Sequence, residues 1–190
     1  MRQALLFPPS DGPLGFRYRR EFLNADEEAR LLDFLRGIEL RPFEFHGFTG
    51  NRRVASYGLR YDFVKLRVEQ AAPLPELLQA FVPRVAEFAD VLPSDIVQAG
   101  VNEYPPGAGI GWHKDKPQFG YVIGISVGGF AKMRFRHRTV EKWERYTTIL
   151  EPRSIYLLSG PSRSEWEHSI PAVDRLRYSV TFRTTLRHSV

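Results

Sequence analysis

From Ile96 onward the chain breaks into short runs of β-branched and aromatic residues bounded by Gly, Pro and Ser, and this rhythm restricts its fold more than any other feature. The runs are Ile96–Tyr104, Tyr121–Val127, Lys132–Arg136, Tyr146–Leu150, Ser154–Leu158 and Tyr178–Thr184. Ahead of them apolar residues recur at helical spacing. Asn24-Ala25-Asp26-Glu27 has the form of an N-cap with Glu at N3, and Leu31, Phe34, Leu35 and Ile38 follow as one stripe. A second helical segment begins near Pro75, with Leu77, Leu78, Phe81, Val85 and Phe88 on or near one face; Pro83 predicts a kink or a split in it. Helices first and strands afterwards predict an α+β chain, an antiparallel β sandwich or barrel buttressed by N-terminal helices.

No repeat, low-complexity tract or long linker interrupts the 190 residues, so one domain is expected over 1–190, with N-terminal helices and the aromatic and arginine-bearing segment 52–63 in 1–95 and the β core in 96–186. There are no cysteines, which excludes disulfides, thiolate zinc sites and a Cys nucleophile; any metal must be held by His and carboxylate. The first residues, MRQALLFPPSDG, carry an apolar run too short for a signal peptide, and no run approaches the roughly 20 residues of a membrane span. A soluble, cytoplasmic (intracellular) protein without membrane contact is expected, a monomer in the simplest case. The net charge of +5 comes largely from arginine, which suits phosphate better than lysine does. Arginines gather at 17–20, 52–60 and 134–138, where a nucleic-acid partner and solvated strand faces explain them equally well.

The stretch Gly111 to Gly120, GWHKDKPQFG, sets His113 and Asp115 two apart. In an extended segment both side chains share a face and can reach one metal, although a polar loop is the simpler explanation of an isolated pair. A third ligand must come from another strand, and His46, His137, His168 and His188 are available. His137 sits among arginines and His188 in the tail, whereas His168 stands just before the final strand. Two imidazoles and a carboxylate on one face of an octahedral Fe(II) leave three positions open, and the mouth of a two-sheet jelly roll can hold such a metal. In the final strand alternation puts Arg177, Ser179, Thr181 and Arg183 on one face and Tyr178, Val180 and Phe182 on the other. Two arginines on one polar face can clamp a dicarboxylate through bidentate forks. Asn102 and Tyr104, also two apart, can add neutral hydrogen bonds.

These pieces together, Asn102-Glu103-Tyr104, His113-Lys114-Asp115, His168 and Arg177 to Arg183, resemble the AlkB family of Fe(II)- and 2-oxoglutarate-dependent dioxygenases over about residues 50–185. The resemblance implies a double-stranded β-helix (jelly-roll) core. It implies His113, Asp115 and His168 as iron ligands, and Asn102, Tyr104, Arg177 and Arg183 as the 2-oxoglutarate site. It also implies oxidative dealkylation of alkylated nucleobases in DNA or RNA, with 2-oxoglutarate and O2 converted to succinate and CO2. The segment 52–63 is similar to the family's nucleotide-recognition region, with Arg52, Tyr61 and Phe63 at the matching positions. The run 159–163 resembles the loop ahead of the distal histidine, and implies Arg163 near the substrate. Many DNA-repairing relatives carry acidic residues soon after the His-x-Asp pair, whereas this chain has Lys116, Pro117 and Gln118. The same oxygenase chemistry on a protein or small molecule, and a jelly roll that binds nucleic acid without turnover, are the alternatives.

Overall fold

Asn24 starts the first helix as its sequence demands. Its side-chain oxygen accepts from the Glu27 amide at 2.8 Å, and Glu27 accepts from the Asn24 amide at 2.9 Å, a reciprocal capping box. The computed structural model describes residues 12–45, 48–62 and 67–186. In chain order the elements are β1 (Phe16–Arg19), α1 (Ala25–Gly37), β2 (Arg41–Phe45), β3 (Phe48–Asp62), β4 (Arg67–Gln70), α2 (Glu76–Ala89), β5 (Ile96–Tyr104), β6 (Ile110–His113), β7 (Val122–Gly128), β8 (Ala131–Arg138), β9 (Trp143–Leu150), β10 (Ser154–Leu158), α3 (Gly160–Ser164), β11 (Glu167–Ile170) and β12 (Arg177–Thr184). None of the helices among the described residues is long and apolar enough to cross a membrane.

The strands form two antiparallel sheets. The large one runs β1-β10-β7-β12-β5-β3-β2, with β4 beside β3, and the small one runs β6-β11-β8-β9. Together they make the expected jelly roll. Period-2 alternation divides the large sheet into two faces. Ile123, Ile125, Val127, Tyr178, Val180 and Phe182 pack outward against Leu31, Leu35, Leu78 and Val85 of the helices. Facing the small sheet, Tyr104, Val122, Tyr156 and Leu158 meet Met133, Phe135, Leu150 and Ile170. The helices thus seal one side of the large sheet, and the small sheet seals the other.

Two expectations need correcting. Strands do not begin only at Ile96, because β1 to β4, within the first 95 residues, already extend the large sheet. β3 is 15 residues long yet reads irregularly, because Gly58 interrupts it at φ 77°, where a Cβ would overlap the Val97 carbonyl. The second correction is the split expected at Pro83, since α2 runs through it from Glu76 to Ala89. Pro83 and Gln79, whose carbonyl loses its helical donor, are both exposed, so water takes that acceptor.

Candidate metal and carboxylate site

β6 and β11 are adjacent, and their register sets His168 opposite His113. The two imidazole rings lie 4.3 Å apart between centroids. Asp115 stands just past the end of β6, and its Oδ2 is 3.4 Å from His168 Nε2. Ligand atoms of His113, Asp115 and His168 all lie within 4.8 Å of one another. His113 Nδ1 is 2.9 Å from the Gly111 carbonyl, so Nδ1–H donates there and leaves Nε2 as the lone-pair donor. Burial holds the His168 imidazole down to about 4, outweighing the opposite pull of Asp115. It is therefore neutral, as a ligand must be. Burial resists ionisation of Asp115, but Arg183 foremost, then His168, His113 and Arg163, hold its carboxyl well below the usual carboxylate range. Two imidazoles and one carboxylate fit a divalent iron.

Beside this triad β12 presents its polar face to the interior between the sheets. Arg177 is fully buried. Its Nε donates to Ser126 Oγ at 3.0 Å, its guanidinium stacks on Tyr104 at 5.0 Å, and both terminal nitrogens lack any hydrogen-bond partner. A buried cation with unspent donors is costly unless an anion joins it. Arg183 is differently placed. It donates to Gln98 Oε1 at 2.9 Å and to Asp115 Oδ1 at 3.2 Å. The Asp115 carboxylate is thus divided, one oxygen toward Arg183 and the other toward His168. A dicarboxylate fits this chamber, with Arg177 as its open anchor.

Tyr156 was not singled out by the sequence. Its ring occupies the space over Gly124, where a Cβ would overlap it, and burial pushes its hydroxyl up to about 12 against the opposing pull of Arg177. A tyrosine set in an aliphatic strand was the only hint.

The other expected residues are scattered. Asn102 lies opposite Ser179 in the β5–β12 ladder, on the inward face with Tyr104. Arg163 lies against the loop that carries Asp115. Its guanidinium donates to the carbonyls of Asp115 (3.1 Å), Lys116 (2.5 Å), Phe119 (3.1 Å) and Gly120 (3.0 Å), tying the loop that carries Asp115 to α3. Arg52 is buried and stacked on Phe43 at 4.2 Å. The Tyr61 backbone pairs with Val68 of β4, while Phe63, His46 and His188 lie outside the described residues. His137 sits against Trp166, between Glu144 and Glu165, away from the triad.

A jelly roll with a His-Asp-His triad and a buried arginine facing its interior defines a class. The chain belongs to the 2OG-Fe(II) oxygenase superfamily, whose family model matches residues 17–183. It is an oxidoreductase whose cofactors are Fe(II), 2-oxoglutarate and O2. Within that class it is AlkB-like. It is 30% identical over 165 residues to the "Alkylated DNA repair protein ALKBH8 homolog" of Arabidopsis thaliana, across 73% of this chain and 47% of the relative. It is 26% identical to the mouse "tRNA (carboxymethyluridine(34)-5-O)-methyltransferase ALKBH8", across 83% of this chain and 24% of that protein. The chain therefore spans less than half the length of either relative. Among solved structures, OsALKBH1 superposes with a TM-score of 0.65 at 18% identity, covering 90% of this chain and 96% of that one.

Proposed function

We propose that the chain oxidises an alkyl carbon on a nucleobase presented unpaired at the mouth of the jelly roll, removing the alkyl group while 2-oxoglutarate is decarboxylated to succinate. The observation that carries the chemistry is the pair of unspent guanidinium nitrogens on Arg177, buried in the chamber that also holds the triad. His113, Asp115 and His168 would hold the iron. Arg177 would anchor the distal carboxylate of the cosubstrate, with Tyr104, Asn102 and the Tyr156 hydroxyl around it. Arg183 would steady the near end while neutralising Asp115. Bound Fe(II) supplies O2 activation, one oxygen atom entering succinate and the other the substrate C–H bond. The resulting hemiaminal releases an aldehyde and the restored base, so no side chain need act as a nucleophile. What the protein adds is positioning and exclusion of water.

Alkylated DNA is the substrate that the family resemblance implies. RNA moves ahead of it on two grounds. The mouse relative is named for tRNA, and residues 116–118 are Lys, Pro and Gln, where the family resemblance implies acidic residues in many DNA-repairing members. A base in either polymer must be single-stranded or flipped to reach a metal between two sheets. Arg52, Tyr61 and Phe63 are the candidates for holding it.

Mass spectrometry of alkylated RNA and DNA oligonucleotides, after incubation with protein, Fe(II) and 2-oxoglutarate, tests the reading. An alkyl mass is lost from RNA in step with succinate formation. His113→Ala and His168→Ala lose both bound iron and turnover while remaining folded. Decay of 2-oxoglutarate with every oligonucleotide unchanged moves the reading to a protein or small-molecule substrate.

A further inference from the structure

The outer face of the small sheet is built for something the triad does not use. In β8, Met133 and Phe135 point into the core, so Lys132, Arg134, Arg136 and Arg138 point away from it on rungs about 7 Å apart. β9 adds Arg145 opposite Arg136, and Trp143 opposite Arg138. β6 adds Trp112. The guanidinium groups of Arg134 and Arg136 lie over Trp112 at 5.0 and 4.5 Å, and those of Arg136 and Arg138 over Trp143 at 4.9 and 5.5 Å. Arg136 is thus shared by two indoles. Against these five cations the same face of the four strands offers Glu167, which accepts from Arg136 at 2.6 Å. Like charges on neighbouring rungs repel one another, and stacking on the indoles holds the cations in place without neutralising them. A cavity of about 430 Å³ lies at one end, lined by Lys114, Arg136, Arg138 and Trp143 together with Glu165 and Glu167. Lys114 is the residue between His113 and Asp115, so this end of the face adjoins the loop that carries Asp115.

We propose that this face docks an unpaired stretch of RNA outside the oxidation site, holding the strand whose modified base enters the jelly roll. The cations match phosphates, and the aromatic and guanidinium planes match the faces of unstacked bases. A four-stranded sheet displaying such planes is suited to single strands, because a duplex hides its bases. The choice of RNA over DNA rests on the substrate reading above, whereas the charge and the stacking planes stand without it.

The test is fluorescence anisotropy of a labelled, unmodified, unpaired RNA 12-mer across a salt series, with the intact chain. The double variant Arg138→Glu/Arg145→Glu is expected to bind at least tenfold more weakly. It should also flatten the salt slope by roughly 1.4, about 0.7 for each phosphate of a single strand that is no longer neutralised. Trp143→Ala, which leaves the charge untouched, is expected to lose about tenfold through stacking. Both variants keep the wild-type melting temperature and the thermal shift on adding 2-oxoglutarate, which shows that fold and chamber are intact. Unchanged affinity and slope in the double variant overturn the docking face. Equal binding of single-stranded DNA overturns the commitment to RNA, and equal binding of duplex RNA overturns the stacking. If the wild type repairs alkylated oligonucleotides while the double variant binds the 12-mer undiminished, the face fails and the substrate reading stands. If the wild type binds the 12-mer through this face and alters no oligonucleotide, the face stands and the substrate reading fails.

Discussion

Arg177 carries a charge that neither solvent nor a carboxylate of the described residues balances. Ser126 takes its Nε, and the two terminal nitrogens are left with nothing. A folded chain tolerates this only if a ligand later completes the set. Arg177→Met should therefore separate stability from function. Removing the orphaned cation raises stability by about 1–3 kcal/mol, even after Ser126 loses its partner, and the melting temperature rises by about 2–4 °C per kcal/mol. The thermal shift produced by 2-oxoglutarate disappears. Differential scanning fluorimetry with and without the cosubstrate checks both halves at once, and a lower melting temperature in the variant would show that the chain supplies a counter-charge. Much of this site is legible in the sequence because alternation alone puts Arg177 and Arg183 on one face. Tyr156 is not legible, since its place depends on lying across the β10–β7 ladder from Gly124, a register that no spacing in the sequence states.

Pairs of elements, rather than single ones, hold the triad in position. The loop between β6 and β7 carries Asp115, and α3 reaches across to it through one guanidinium with four carbonyls around it. Arg163→Ala should weaken binding of Mn(II), a redox-silent substitute for iron, by about 10–100-fold, the usual effect of removing a group that orients a ligand. Arg163→Lys should recover little, because an ammonium cannot reproduce the planar fork. Isothermal titration measures both. α2 offers a second case. Pro83 sits on its exposed face and leaves the Gln79 carbonyl to water. Pro83→Ala restores the bond and should stabilise the chain by about 2 kcal/mol, after allowing for the freer unfolded chain; chemical denaturation measures it. The strands β5 and β10 can be read from the sequence, β10 from the apolar run Ile155 to Leu158 and β5 from Ile96, Val97, Val101 and Tyr104 set between Pro93 and Pro105. β6 and β11 cannot, because four residues are too few to display a period, and these are the two strands that carry His113 and His168. β12 shows the opposite limit. Its alternation is plain, but whether its polar face meets water or the interior depends on its place between β7 and β5.

At the scale of the molecule the large sheet stands between two cores, one shared with the helices and one shared with the small sheet. The site belongs to the second. Phe182→Ala, deep in the first, should cost about 3–5 kcal/mol while leaving Mn(II) affinity nearly unchanged, because Arg183 and Thr181 face the other way. Denaturant titration beside metal titration separates the two effects. The edge of the large sheet is closed by β1, whose Phe16 pairs with Leu158 of β10. A ribosome adding about 5–20 residues per second makes β1 roughly 7–28 s before its partner exists. Until then Phe16 has no sheet to join, and when β10 emerges its unpaired backbone N–H and C=O groups stay open until β1 docks. During synthesis the chain is thus most exposed to pairing with a neighbouring copy at the moment just before this seam closes, and a chaperone that shields a bare strand edge would matter most then.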